Sequence, residues 1–259
     1  MDDSASPRVS VLIPTLNEEE NIQRAIDSVK SQSFSDYEII VCDAGSSDDT
    51  TDIVKSQIAP DLRLLTDTNG LMSQYNTLCN AANGEYLSIF DADSEMLSGK
   101  LEKQVQVLDE NPAAAAVGTG LRFRDRSGEV VRELEAPTGD ELKWMAIRTN
   151  PLHHTTVLLR SEAVASTGGY RRRPFGDYDL MIRLAKNWEL MNINEPLTQT
   201  IERTSRGGRN FSPSRSFYHN TSIGFRALLT MDWSVTEAPI ALTKRVGASV
   251  HLAYNMFTT

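Results

Sequence analysis

At 259 residues with 40% hydrophobic content, the chain can bury a sizeable core, which excludes a disordered tail. A net charge of -9 argues against nucleic acid as the main partner, because phosphate backbones are held by an excess of Lys and Arg. An acidic protein that holds a phosphorylated ligand needs a local basic patch or a divalent cation. No apolar run approaches the ~18 residues that span a bilayer. Cys42 and Cys79 form no C-x-x-C pair and follow no apolar signal segment, so a soluble chain in a reducing cytoplasmic setting is expected, with both thiols as small buried side chains.

The first segment, RVSVLIP, is a β-branched run closed by Pro14, and the segment after it places Ile22, Ala25, Ile26 and Val29 at helical spacing. Glu18, Glu19 and Glu20 crowd the expected helix start, where the macrodipole favours negative charge. YEIIVCDAG predicts a second strand ending at Asp43, and SSDDTTDIVKSQI a helix with Ser and Asp caps. LRLLT predicts a third strand, GLMSQYNTLCNAANG a helix closed by Gly84, EYLSIFDAD a fourth strand and LEKQVQVLDENP its helix. Such alternation predicts a mostly parallel sheet with helices on both faces and ligands at the carboxyl ends of its strands.

Beyond Pro112 the pattern changes. AAAAVGTGLRFRDRSGEVVREL predicts two antiparallel strands joined by a turn at Ser127 and Gly128. TGDELKWMAI predicts a helix, TTVLLR a strand and DYDLMIRLAKN a helix. No linker rich in Gly, Ser or Pro divides the chain, and no internal repeat is present. We therefore expect one domain over 1–259, with a ligand-binding half at 8–111, a second half at 112–215 and a helical tail at 216–259 whose periodicity breaks at Pro239.

The fourth strand ends in IFDADSEM. Residues i and i+2 of a strand share a side, so Asp91 and Asp93 repel unless a cation lies between them. A hard ion such as Mg²⁺ or Mn²⁺ satisfies both carboxylates and can also hold a diphosphate. A lone D-x-D is as often a turn or a helix cap. Glu95 reads as a solvated loop acid rather than a third ligand.

Four segments occur together in order: VSVLIPTLNEEENI, EIIVCDAGSSDDT, NGLMSQYNTLCNAANGEYLSIFDADSEM and GDYDLMIRLA. Over about Ser10 to Ala185 this set resembles the family 2 glycosyltransferases, inverting enzymes with the Rossmann-like GT-A fold. The resemblance implies that Pro14, Thr15, Leu16, Asn17 and Glu18 form the first nucleotide-binding loop, that Asp43 lies under the nucleobase, and that Gly70 and Asn76 lead to the metal motif. It implies that Asp91, Ala92 and Asp93 form that motif, with Asp91 and Asp93 on the ion and His154 as a further contact to it. Asp177 falls where the family places its general base. Gly176 before it would leave room for an acceptor, and Asp179, inside the helix, reads as a packing or salt-bridge residue.

The chain departs from the family at Ala44, where a second acid is common, at Tyr75, where an Arg often stands, and at Gly176, where Glu is frequent. Arg203 and Arg206, within RTSRGGRNFSPSR, resemble the basic loop that closes over a departing diphosphate. Arg171, Arg172 and Arg173 could meet an anionic acceptor or lipid headgroups. The implied reaction moves a sugar from a nucleoside-diphosphate donor, UDP-sugar being favoured, to a glycan or lipid-linked saccharide in cell-surface polysaccharide or glycoprotein synthesis. The tail reads as core packing, with an interfacial helix pair at the cytoplasmic face of the membrane as the alternative. A nucleotide-sugar-binding module without catalysis and a haloacid-dehalogenase-type phosphatase are the competing readings. A dehydrogenase is excluded by the lack of glycine in PTLNEE.

Overall fold

The computed structural model describes residues 6–202, 213–230 and 237–258. The first half alternates as expected: β1 Val9–Thr15, α1 Ile22–Lys30, β2 Tyr37–Asp43, α2 Thr50–Ser56, β3 Leu62–Thr66, α3 Leu71–Ala81 and β4 Tyr86–Ile89. There follow β5 Ser94–Met96, α4 Lys100–Glu110, the antiparallel pair β6 Ala114–Arg124 and β7 Val130–Leu134, and α5 Gly139–Ala146. A 3-10 turn, His154–Thr156, leads into β8 Leu158–Arg160, α6 Ser161–Ser166, α7 Gly176–Leu184 and β9 Glu189–Ile201. The helices α8 Pro213–Thr230 and α9 Glu237–Thr258 complete the described chain.

The nine strands of the described residues join one sheet in the order β3-β2-β1-β4-β8-β6-β9-β5, with β7 paired to β6. β1 to β4 run parallel, so their carboxyl ends line one edge. β8 enters antiparallel between β4 and β6, and β9 runs parallel to β6. β1 is buried throughout because both its faces are covered, as expected for a central parallel strand. Val9, Val11 and Ile13 pack with Ile22, Ile26 and Leu101 from α1 and α4. Leu12 points the other way, into a second core with Leu78 of α3 and Leu180 and Met181 of α7. A third cluster joins Ala146, Tyr178, Ile223, Ala227 and Ala241, so the tail helices pack on α5 and α7.

Several expectations are corrected. Gly84 does not close α3, whose C-cap is Ala82 in an extended conformation. Gly84 instead lies against β1, where a Cβ would stand 2.5 Å from the Ser10 nitrogen. The acids Glu18 to Glu20 precede α1, and its first turn carries none. Pro239 falls in the opening turn of α9, a position that spares the hydrogen-bond ladder. Cys42 is buried, but Cys79 is only partly so. β5, α6 and β9 had no clear signal: β5 has three residues, and β9 contains Pro196, which argues against a central strand. β9 absorbs that proline at a register shift opposite Gly120.

Candidate active site

The loops after β1 and β2 are laced together. The Asp43 carboxylate is buried and accepts from the Gly45 and Ser46 N–H groups at 2.7 and 3.0 Å and from Ser46 Oγ at 2.5 Å. Asn17, at φ +54°, donates its N–H to Ser46 Oγ at 2.9 Å, and its Oδ1 accepts from the Ser47 N–H at 2.9 Å. The Glu18 N–H donates to Thr50 Oγ1 at 2.8 Å. Asp43 thus shapes the loop beneath the expected nucleobase position. Pro14 and Thr15 are buried, whereas Leu16 presents its side chain to solvent. Gln74 of α3 ties the two strand ends together, donating to the carbonyls of Thr15 (3.3 Å) and Cys42 (2.8 Å).

The α3 start is set by Gly70, whose φ of +96° favours glycine, and by Asp67. The Asp67 carboxylate accepts from the Asn69 N–H, Ser73 Oγ and Thr77 Oγ1, which hold it well below the usual carboxylate range. Asn76 faces away from this loop. Its amide donates to the Tyr170 carbonyl and accepts from the Tyr170 N–H, both at 2.8 Å, so both its polar atoms clamp the Tyr170 backbone.

Asp91 and Asp93 lie just past β4, with Ala92 buried between them. The Asp91 N–H donates to Thr155 Oγ1 at 3.0 Å, and Asp91 Oδ1 accepts from the Tyr75 hydroxyl at 3.4 Å. Burial, then the negative charge of Asp93 and that of Asp177, push the Asp91 carboxyl up to about 7. The three acids implied by the motifs are therefore electrostatic neighbours. Asp177 lies in the first turn of α7 and accepts from Asn150 Nδ2 at 3.1 Å. It is not the helix cap: that position is Phe175, at φ +56°.

Behind the acids, Tyr75 stacks on Tyr170 with centroids 4.8 Å apart and meets the His154 ring edge-on at 4.8 Å. His154 Nε2 lies 3.0 Å from the Tyr170 hydroxyl, and burial lowers its pKa against the opposing pull of Asp177. Among the described residues, no group of three or more His, Cys, Asp and Glu converges as a metal set, so the expected trio Asp91, Asp93 and His154 is not assembled. The aspartates alone fit a divalent ion: their oxygens are hard donors, and the charge that raises the Asp91 pKa is the charge a cation would neutralise.

Further corrections concern neighbours. Gly176 leaves no room for an acceptor, because a Cβ there would stand 2.2 Å from Met72 Sδ and 3.0 Å from the Arg171 carbonyl. Glu95 is not solvated but ion-paired with Arg24 and with Arg124, the latter at 2.5 Å. Asp179 is fully buried and ion-paired, as expected. Arg203 and Arg206 lie outside the described residues. Sequence reasoning missed Asn150, Tyr170, Asp67 and Gln74, and treated Tyr75 only as a departure. Its i+3 spacing from Met72 and i+4 spacing to Cys79 marked it as part of the inner face of α3.

Among the described residues, no helix is long and apolar enough to cross a membrane. The model of glycosyl transferase family 2 matches residues 10–178. The chain is 31% identical over 210 residues to a Bacillus subtilis protein provisionally named glycosyltransferase EpsE, covering 77% of this chain and 74% of that one. It is 37% identical over 112 residues to a Campylobacter jejuni GalNAc(5)-diNAcBac-PP-undecaprenol beta-1,3-glucosyltransferase, covering 41% of this chain and 36% of the relative. S. aureus TarS in complex with UDP-GlcNAc superposes with a TM-score of 0.73 at 17% identity, over 93% of this chain and 72% of that one. The mannosyltransferase PcManGT of Pyrobaculum calidifontis, in complex with GDP-Man and Mn²⁺, does so at 0.65 and 22% identity, over 97% and 76%. These superpositions show a shared GT-A fold, and with the family match over most of the sheet and all three acids, the chain belongs to the family 2 glycosyltransferases.

Proposed function

We propose that the enzyme transfers a sugar, with inversion, from a nucleoside-diphosphate sugar to a hydroxyl of a glycan or lipid-linked saccharide, with a UDP-sugar as the favoured donor. The observation that carries this reading is the gathering of Asp91, Asp93 and Asp177 at the carboxyl edge of the sheet, close enough that the other two charges raise the Asp91 pKa. The TarS complex with UDP-GlcNAc supports the donor class, and the lipid-linked substrate in the name of the C. jejuni relative supports the acceptor class.

In this reading the β1–α1 and β2–α2 loops hold the nucleoside. Asp91 and Asp93 would hold a Mg²⁺ or Mn²⁺ ion, which supplies positive charge to the diphosphate. Asp177, steadied by Asn150, takes the proton of the acceptor hydroxyl as its oxygen bonds to the anomeric carbon. The bond from that carbon to the diphosphate breaks, and the diphosphate leaves with the electron pair. The Tyr75 hydroxyl, kept protonated by burial, donates to Asp91 and fixes its orientation.

Calorimetry of UDP and UDP-sugars with and without Mn²⁺ tests the donor site. Wild type should bind more tightly with the ion, and Asp93→Ala should lose that increment. Equal ion dependence in both proteins would reject the assignment of Asp93.

A further inference from the structure

Asp177 and Asp179 are two residues apart on α7, about 200° around the helix axis, so they face opposite sides. The side away from Asp177 is strongly cationic. Asp179 is fully buried and receives Arg173 at 3.0 Å, Arg183 at 2.8 Å, Arg226 at 2.6 Å and Arg171 at 4.0 Å. One carboxylate thus meets four guanidiniums. No second carboxylate among the described residues pairs with any of the four. Arg183 also donates to the carbonyls of Thr167 and Gly169, which neutralise no charge.

Arg171, Arg183 and Arg226 open onto a cleft of about 310 Å³ that also exposes Lys186. Its remaining lining is neutral, including the hydroxyls of Thr167 and Thr230, and contains no acid. The rim has a second feature. Leu229, three residues from Arg226 and next to Thr230 on α8, is 86% exposed. Residues three apart on a helix are neighbours, so an apolar side chain stands beside a pocket of unmatched positive charge. A soluble anion accounts for the charge alone, whereas a membrane surface of phosphate headgroups over acyl chains matches both features.

We propose that this cleft, on the opposite face of α7 from Asp177, binds a phosphate group, presented by an anionic lipid headgroup while Leu229 enters the interface. The site does not rest on the transfer reaction, because none of these side chains faces the carboxylates at the β4 edge. Phosphate oxygens would take the donors that Arg171, Arg226 and Lys186 direct into the cleft, and Asp179 would keep the guanidiniums in register.

The test compares wild type with Arg171→Ala/Lys186→Ala, which leaves Arg173, Arg183 and Arg226 on Asp179, and with Leu229→Ser. Sedimentation with vesicles of phosphatidylcholine alone and of phosphatidylcholine with phosphatidylglycerol reads the lipid source. Thermal shift with inorganic phosphate, in metal-free buffer, reads the soluble source. Retained UDP binding with Mn²⁺ shows that each variant is folded. We expect wild type to bind only the anionic vesicles. The double variant should bind them roughly thirtyfold more weakly, from two basic side chains at about 1 kcal/mol each. Leu229→Ser should weaken vesicle binding while leaving any phosphate shift intact. A phosphate shift lost in the double variant, without vesicle binding, would keep the phosphate site and assign it to a soluble ligand. Binding that is absent in both assays, or unchanged in the double variant, overturns the proposal.

Discussion

Asn76 and Tyr170, 94 residues apart, are joined by two hydrogen bonds of 2.8 Å that close a ring between one side-chain amide and one backbone residue. Through that ring α3 fixes the loop whose Tyr170 side chain stacks on Tyr75 and reaches His154. Asn76→Ala leaves the Tyr170 N–H and carbonyl without these partners in a partly buried setting, at a cost of about 1–3 kcal/mol. Urea denaturation should show the midpoint falling accordingly. An unchanged midpoint would mean that the clamp is dispensable.

Gly176 and Met72 form the next joint between α3 and α7. In a helix, Gly→Ala ordinarily gains about 1 kcal/mol. Here the new methyl would stand 2.2 Å from Met72 Sδ, and overpacking costs about 1–3 kcal/mol. Gly176→Ala should therefore lower the melting temperature in wild type, and by less in a Met72→Ala background, where only the Arg171 carbonyl at 3.0 Å still crowds the methyl. An equal loss in both backgrounds would refute the Met72 contact.

Lys100 is fully buried at the start of α4, with Nζ donating to Gln104 Oε1 at 2.8 Å and to Ser88 Oγ at 3.4 Å. Burial lowers its pKa from 10.5 to about 7. Between those values the unfolded chain keeps a proton that the folded chain has released, so this group makes stability rise with pH from about 7 to 10.5 and adds no slope below. Lys100→Met should remove that slope and stabilise the protein at neutral pH. Denaturation midpoints of both proteins across this range decide it, and parallel curves would count against a buried titrating lysine.

If Asp177 is the base, Asp177→Asn should fold, bind UDP with Mn²⁺ as wild type does, and lose transfer by about two orders of magnitude or more. The amide oxygen can still accept from Asn150, so the local geometry is retained. Transfer rates with the true acceptor provide the readout, and a near-native rate would place the base elsewhere.

The alternation from β1 to β4 was legible because central parallel strands must be apolar on both faces and their helices on one. Asp91 and Asp93 were singled out at a strand end that local pattern locates, and Asp177 by its place in the motifs of the family resemblance. What escaped depends on contacts distant in sequence. Nothing near Asn150 indicates that it meets Asp177 27 residues later, and Asn76 gives no local hint of Tyr170. Gly176 was misjudged because an absent side chain signals space without saying what fills it, and Met72 fills it. Glu95 looked solvated because its partners, Arg24 and Arg124, come from α1 and the end of β6.

The single sheet has a mechanical consequence. β8 sits between β4 and β6, so backbone hydrogen bonds run unbroken from β1–β4 to β6 and β9. The two halves of a sheet joined in this way cannot swing like jaws, because opening them would strip a row of buried ladder bonds. In the proposed reaction, gating would fall to segments that leave the sheet edge rather than to the sheet itself.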